Sequence, residues 1–152
     1  MKHILIIEDD VQAQYILASL IYKTYMKKRY PDVEVRSSDI TGVKASPTKQ
    51  MDEYTFQEYS IQFTTVTHAV PAIELLAHHD YDMILLDCNL ACGSSGKEVV
   101  AYLMDHAPDT FQRIIVESDN RDFQQIVEAV GITKFMVKNP RVIPDEIMEL
   151  IY

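Results

Sequence analysis

The chain has 152 residues, 47% of them apolar and 24% charged, with 14 Lys plus Arg against 23 Asp plus Glu for a net charge of −9. A chain of this size suits one domain, residues 1–152, burying roughly 70% of the surface its unfolded form exposes. The acidic balance works against sequence-independent nucleic-acid binding, which needs a cationic face to release counterions. No apolar run approaches the roughly 20 residues that span a bilayer. The first residues turn acidic at Glu8-Asp9-Asp10 without a signal-peptide core, so no membrane association and a cytoplasmic location are expected.

In chain order, His3–Ile7 is a short apolar, β-branched run and reads as a buried parallel strand. A helix is expected from about Asp10 to Arg29, with Asp10 as its N-cap and Ala13, Leu17, Leu20, Ile21 and Thr24 on one face. The basic run Lys23–Arg29 falls at its end, where cations offset the helix dipole. The polar stretch from Pro31 to Ser60 breaks the pattern and reads as an insertion, residues 31–60. Within it, Val33–Ser38 is a candidate extra edge strand, or the segment is a mobile insertion. Tyr54, Phe56 and Tyr59 are expected to pack it onto the domain, with a contact surface as the alternative.

Ile61–Val66 alternates like a strand, and a helix beginning at Pro71 carries Ile73, Leu76 and Ala77. Met83–Leu86 is the next buried strand. After Gly96 comes a helix with Val99, Val100 and Leu103 facing inward. Arg113–Val116 is a strand, followed by a helix using Phe123, Ile126, Val127 and Val130 with Gly131 as its C-terminal cap. Lys134–Val137 is the last strand, and a short helix from about Pro144 to Tyr152 closes the chain. Strands alternating with helices imply an α/β domain, a doubly wound five-stranded parallel sheet with an insertion before its second core strand. Ligands of such sheets bind at the carboxyl ends of the strands.

Those ends carry Glu8, Asp9 and Asp10 after the first strand, Asp87-Cys88-Asn89 after Met83–Leu86, Glu117-Ser118 after Arg113–Val116, and Lys138 after Lys134–Val137. Two like charges about 4 Å apart repel by roughly 4 kcal/mol at an effective dielectric of 20, so converging carboxylates call for a cation. Hard oxygen ligands without a His or Cys set favour Mg²⁺. Cys88 and Cys92 lack the further ligands that zinc wants and read as free thiols.

This arrangement resembles the receiver domains of two-component response regulators over nearly the whole chain except Pro31–Ser60. Ile4-Leu5-Ile6-Ile7-Glu8-Asp9-Asp10 is similar to the family's first strand and acidic pair. Tyr81-Asp82-Met83-Ile84-Leu85-Leu86-Asp87 is similar to its third strand and phosphoacceptor. Gly131-Ile132-Thr133-Lys134-Phe135-Met136-Val137-Lys138 is similar to its fifth strand and terminal lysine. The resemblance implies the flavodoxin-like strand order 2-1-3-4-5, with Asp87 accepting a phosphoryl group and Lys138 pairing with it. Glu8, Asp9, Asp87 and the main-chain carbonyl of Asn89 would hold Mg²⁺, and Phe135 would be the aromatic of the switch.

The family's hydroxyl after the fourth strand has two candidates. Counting from the strand start selects Ser118, and counting back from Gly131 selects Glu117. Because a glutamate would repel a phosphoryl group, Ser118 is the choice. The loop after Asp87 lacks the family's proline and is one residue longer. Asn139 intervenes between Lys138 and Pro140, where a cis bond before the proline is open.

The expected function is a stand-alone phosphoacceptor receiver, charged by a histidine kinase or phosphotransfer protein and acting on a downstream effector protein without direct nucleic-acid binding. It is not a turnover enzyme, beyond slow autodephosphorylation. The alternative is a phosphorylation-independent pseudo-receiver that binds partners. A phosphohydrolase is disfavoured because Asn89, two residues after Asp87, cannot exchange a proton.

Overall fold

The computed structural model describes residues 2–34, 61–90 and 93–152 in full and residues 51–56 for their main chain. Five parallel strands form the core: β1 (Lys2–Ile7), β3 (Ile61–Val66), β4 (Met83–Asp87), β5 (Ile114–Glu117) and β6 (Lys134–Met136). Their order is β3-β1-β4-β5-β6, the doubly wound 2-1-3-4-5 arrangement of the core strands. A sixth strand, β2 (Met51–Phe56), adds antiparallel to the free edge of β3. The free edge of β3 is thus taken by a segment near the end of the 31–60 stretch, and the expected edge strand at Val33–Ser38 falls largely outside the described residues. Val33 and Glu34 lie in no strand, and the rest of that run is outside the described residues. Only residues 57–60 separate β2 from β3, and so short a connection favours antiparallel pairing of the neighbouring segment. Tyr59 is outside the described residues, as are the side chains of Tyr54 and Phe56.

Alternation along β1 builds two cores. Ile4 and Ile6 face one layer with Phe63, Met83, Leu85 and Ile115, whereas Leu5 and Ile7 face the other with Ile84, Leu86, Ile114 and Val116. Each fully buried Ile or Leu contributes roughly 1.5–3 kcal/mol. Helices α1 (Val11–Arg29) and α5 (Asp145–Met148) cover the first layer, and α2 (Ala69–His78), α3 (Gly96–His106) and α4 (Arg121–Ala129) cover the second. A 3₁₀ turn at Pro108–Arg113 leads into β5.

Helix boundaries follow local chemistry. Asp10 Oδ1 accepts the amides of Gln12 (2.9 Å) and Ala13 (3.2 Å) and starts α1. The buried face of α1 comprises Gln14, Leu17, Ala18, Ile21, Tyr22, Tyr25 and Met26, rotated from the expected stripe so that Leu20 is only half-buried. Tyr25 stacks on Tyr152, which brings the chain end onto this helix. Helix α2 begins two residues before Pro71, with the Ala69 amide held by the Ser94 hydroxyl at 3.2 Å. Ser95 and Glu98 form a capping box on α3. In α4, Phe123 and Val127 are buried but Ile126 is 45% exposed, so the inward stripe is narrower than expected. Gly131 ends the helix at φ 110°, a conformation that glycine adopts without strain.

Candidate functional site

Parallel registry sets out the site. Ile7 pairs with Leu86 and Asp87 pairs with Glu117, which in turn pairs with Met136. One residue beyond Ile7, Glu8 continues the row, its amide bonded to Val66 O at 3.0 Å. Three acids therefore stand side by side at the ends of β1, β4 and β5, strands about 4.8 Å apart. Glu8, Asp87 and Glu117 are each only 2% exposed.

Asp87 is oriented from two sides. Its Oδ1 accepts the Cys88 amide at 2.7 Å, and its Oδ2 accepts from Lys138 Nζ at 3.0 Å. The lysine reaches in from the turn after β6 with its side chain one-third exposed (33%). Desolvation works against its ammonium, but the Asp87 hydrogen bond and the charges of Glu8, Asp87 and Asp9 outweigh it, so its pKa is raised. Asn139 takes a positive φ of 53° and turns the chain after Lys138. No cis peptide bond occurs among the described residues, so the irregular Lys138-Asn139-Pro140 spacing is absorbed by a left-handed asparagine, a residue that tolerates this region.

Glu8, Asp9 and Asp87 each offer a carboxylate oxygen, all within 4.8 Å of one another. Glu8 is pushed up to about 9, by burial first, then by the Asp9 side chain and by the charge of Asp87, against the Asp10 amide and Lys138. Its Oε1 accepts the Asp10 amide at 3.2 Å, and its buried Oε2 has no hydrogen-bond partner among the described residues. An orphaned oxygen beside two further carboxylates is a donor set that fits Mg²⁺, which takes oxygen ligands and keeps several waters.

The register corrects the hydroxyl assignment. Glu117, not Ser118, stands beside Asp87. The Ser118 hydroxyl instead accepts the Asn120 amide at 3.0 Å, in the turn that leads to α4. The electrostatic preference for Ser118 speaks to which group suits a phosphoryl anion, not to the stagger of β4 and β5 that sets Glu117 there. Burial foremost, with the charges of Asp87 and Asp119, pushes Glu117 up to about 7, while the Asn139 amide and Lys138 pull the other way. Among the described residues no donor meets full hydrogen-bond geometry at either of its oxygens, although the Asn139 amide draws on the side chain.

Three further residues position the site without an obvious sequence signature. Gln14 is buried on α1, and its Nε2 donates to Glu8 O at 2.7 Å and Val66 O at 3.1 Å. It ties the ends of β1 and β3 together; a polar residue among apolar positions of the stripe was the available sign. Gly96 lets α3 approach β4, since a Cβ there would stand 2.5 Å from the Asp87 carbonyl oxygen. Asn120 caps α4 through the Phe123 amide at 3.1 Å. Phe135, paired with Val116, is half-buried against the second core layer. Asn89 is exposed and bridges to Ser95. Cys88 is buried and free, its thiol raised by desolvation and by Asp87, and so it is a poor nucleophile. Cys92 is outside the described residues.

No protein-family model and no curated protein matches the sequence. Solved structures do. The signal receiver domain of a histidine kinase from Syntrophus aciditrophicus aligns with a TM-score of 0.62 and 17% identity, over 99% of this chain and 90% of that one. The chain has the response regulator receiver fold. The receiver domain of a sensor histidine kinase from Pseudomonas aeruginosa, solved with a magnesium ion in its active-site cleft, aligns with a TM-score of 0.59 and 15% identity, over 92% of this chain and 87% of that one. A Burkholderia pseudomallei response regulator, solved with a phosphorylated aspartic acid, a calcium ion and citrate, aligns with a TM-score of 0.57 and 16% identity, over the whole of this chain and 67% of that one. Among the described residues of this receiver fold, no helix is long and apolar enough to cross a membrane.

Proposed function

We propose that this chain is a single receiver domain, with residues 31–60 inserted into it, that accepts a phosphoryl group on Asp87 in two-component signalling. The observation that carries the reading is the Asp87–Lys138 pair at 3.0 Å beside the Glu8, Asp9 and Asp87 oxygen cluster. An Asp87 carboxylate oxygen attacks the phosphorus of the donor. An O–P bond forms as the donor's P–N bond breaks, and the electron pair leaves with the imidazole of a histidine kinase or phosphotransfer protein. Lys138 neutralises charge on the transferring group. Glu8, Asp9, Asp87 and the Asn89 carbonyl would hold Mg²⁺, which when bound supplies further charge neutralisation. The added charge of about −1.5 to −2 then acts on Phe135 and an effector-binding surface. Two residues after Asp87, Asn89 offers no acid–base group for rapid hydrolysis, so the domain signals rather than turns over substrate.

The test is intact-mass spectrometry after incubation with acetyl phosphate, with and without Mg²⁺, alongside Asp87→Asn. A Mg²⁺-dependent gain of one phosphoryl group that the variant lacks is the expected result. No adduct, together with no binding of beryllofluoride, would overturn it. Glu117 favours a second reading, a pseudo-receiver that binds partners unmodified, because an acid occupies the place of the family's hydroxyl. That reading predicts no response to either reagent.

A further inference from the structure

Building on the phosphoacceptor reading, we propose that Glu117 is a specificity-determining residue of the site, whose carboxylate competes with a phosphoryl group on Asp87 for Lys138 and the bound cation. Its position is set by the strand register rather than by a mobile loop, since Asp87 and Glu117 are paired Cα neighbours at the ends of β4 and β5. In parallel strands, paired residues project to the same face. Both Glu117 oxygens are buried, and among the described residues no donor closes a full hydrogen bond to either, although the Asn139 amide draws on the side chain. Its charge is felt at Asp87 and Lys138.

A hydroxyl at this place would donate to a phosphoryl oxygen, whereas an ionised carboxylate only accepts. Ser118 does not make good the loss, because it stands one residue past the register with Asp87, in the turn where its Oγ accepts the Asn120 amide at 3.0 Å. Lys138 is already in contact with Asp87, and Asp119 Oδ1 accepts its main-chain amide at 3.4 Å, which keeps a further acid nearby. The single ammonium that pairs with Asp87 therefore serves a crowd of acids before any phosphoryl group arrives. The same excess of negative charge favours a divalent cation. Glu117 thus biases the site toward metal and against a phosphoryl anion.

The test compares the wild-type chain with Glu117→Thr and Glu117→Gln, using beryllofluoride with Mg²⁺ as the phosphoryl mimic and calorimetry for both ligands. Glu117→Thr supplies the missing donor, and Glu117→Gln removes the charge with little change of shape. The expected result is beryllofluoride binding at least about tenfold tighter in both variants, the change that removing 1.4 kcal/mol of repulsion produces, with Mg²⁺ affinity no better than in the wild type. Opposite responses to the two ligands separate competition from a merely structural effect, which would move both together. If all three proteins bind beryllofluoride within about twofold, a difference well under 1 kcal/mol, the competition is refuted and the phosphoacceptor reading stands. If none of the three, each folded by circular dichroism, binds beryllofluoride, the phosphoacceptor reading fails and this proposal with it.

Discussion

Replacing Glu117 by Gln isolates the energetic consequence of a buried acid with no partner. In the native chain this carboxyl is raised from 4.5 to about 7, chiefly by burial, whereas in the unfolded chain it ionises near the lower value. Between the two, the native state keeps a proton that the unfolded state has released. The unfolding free energy therefore falls as pH rises through this window and levels off above it. A difference of that size corresponds to about 3 kcal/mol. Glutamine carries no titrating proton, so the variant loses this part of the pH dependence. Any cost of its own unpaired amide is the same at every pH and cancels. Glu8 titrates in both proteins, and Glu117 is not among the causes of its shift.

Urea unfolding with a chelator present should show the variant gaining about 3 kcal/mol on the wild type between roughly pH 4.5 and pH 8. In thermal unfolding the same gain amounts to about 6–12 °C for a chain of this length. Parallel profiles, agreeing to within about 0.5 kcal/mol across the range, would refute the picture of Glu117 as an unpaired buried acid beside Asp87.

Mg²⁺ has to displace the proton that Glu8, raised to about 9, holds in its absence. Its affinity should therefore rise with pH up to that value, by up to about tenfold per unit for each proton released; calorimetry in buffers of different ionisation enthalpy counts the protons, and a pH-independent affinity counts against the cluster. Gly96→Ala drives a Cβ against the Asp87 carbonyl oxygen and should destabilise the fold by about 1–3 kcal/mol in urea unfolding. Gln14→Leu leaves the Glu8 and Val66 carbonyls without this donor; a loss of about 1–3 kcal/mol is expected, with faster hydrogen exchange at the Glu8 amide. Asp10→Ala removes the cap of α1 and should cost about 1 kcal/mol, with Mg²⁺ binding retained.

Five core strands were legible because each is a short apolar run between turn signals, and parallel strands buried on both faces leave that mark in sequence. The Ile61–Val66 strand was read residue for residue, since its alternation is local. Asp87, Glu8, Asp9 and Lys138 were legible as a set because a doubly wound sheet gathers the residues that follow its strands at one end. What stayed hidden was relative placement. Choosing between Glu117 and Ser118 depended on the stagger between β4 and β5, and a shift of one residue turns a side chain to the other face. Charge reasoning alone does not make that choice, because it says which group suits a phosphoryl anion and not which one the register sets beside Asp87.

The sequence alone determined the layers of this protein, the caps of α1 and α4's glycine terminus, and the identity of the chemical groups at the strand ends. All of these follow from near neighbours in the chain, through side-chain period, turn chemistry and residue type. Tertiary structure alone decided that β2 pairs antiparallel with the edge of β3. It also decided that Gln14 locks two strands, that Gly96 makes room for α3, and that Glu117 stands unpaired beside Asp87. Each of those depends on the register and approach of segments far apart in sequence, where the energy of a contact exists only once both partners are in place.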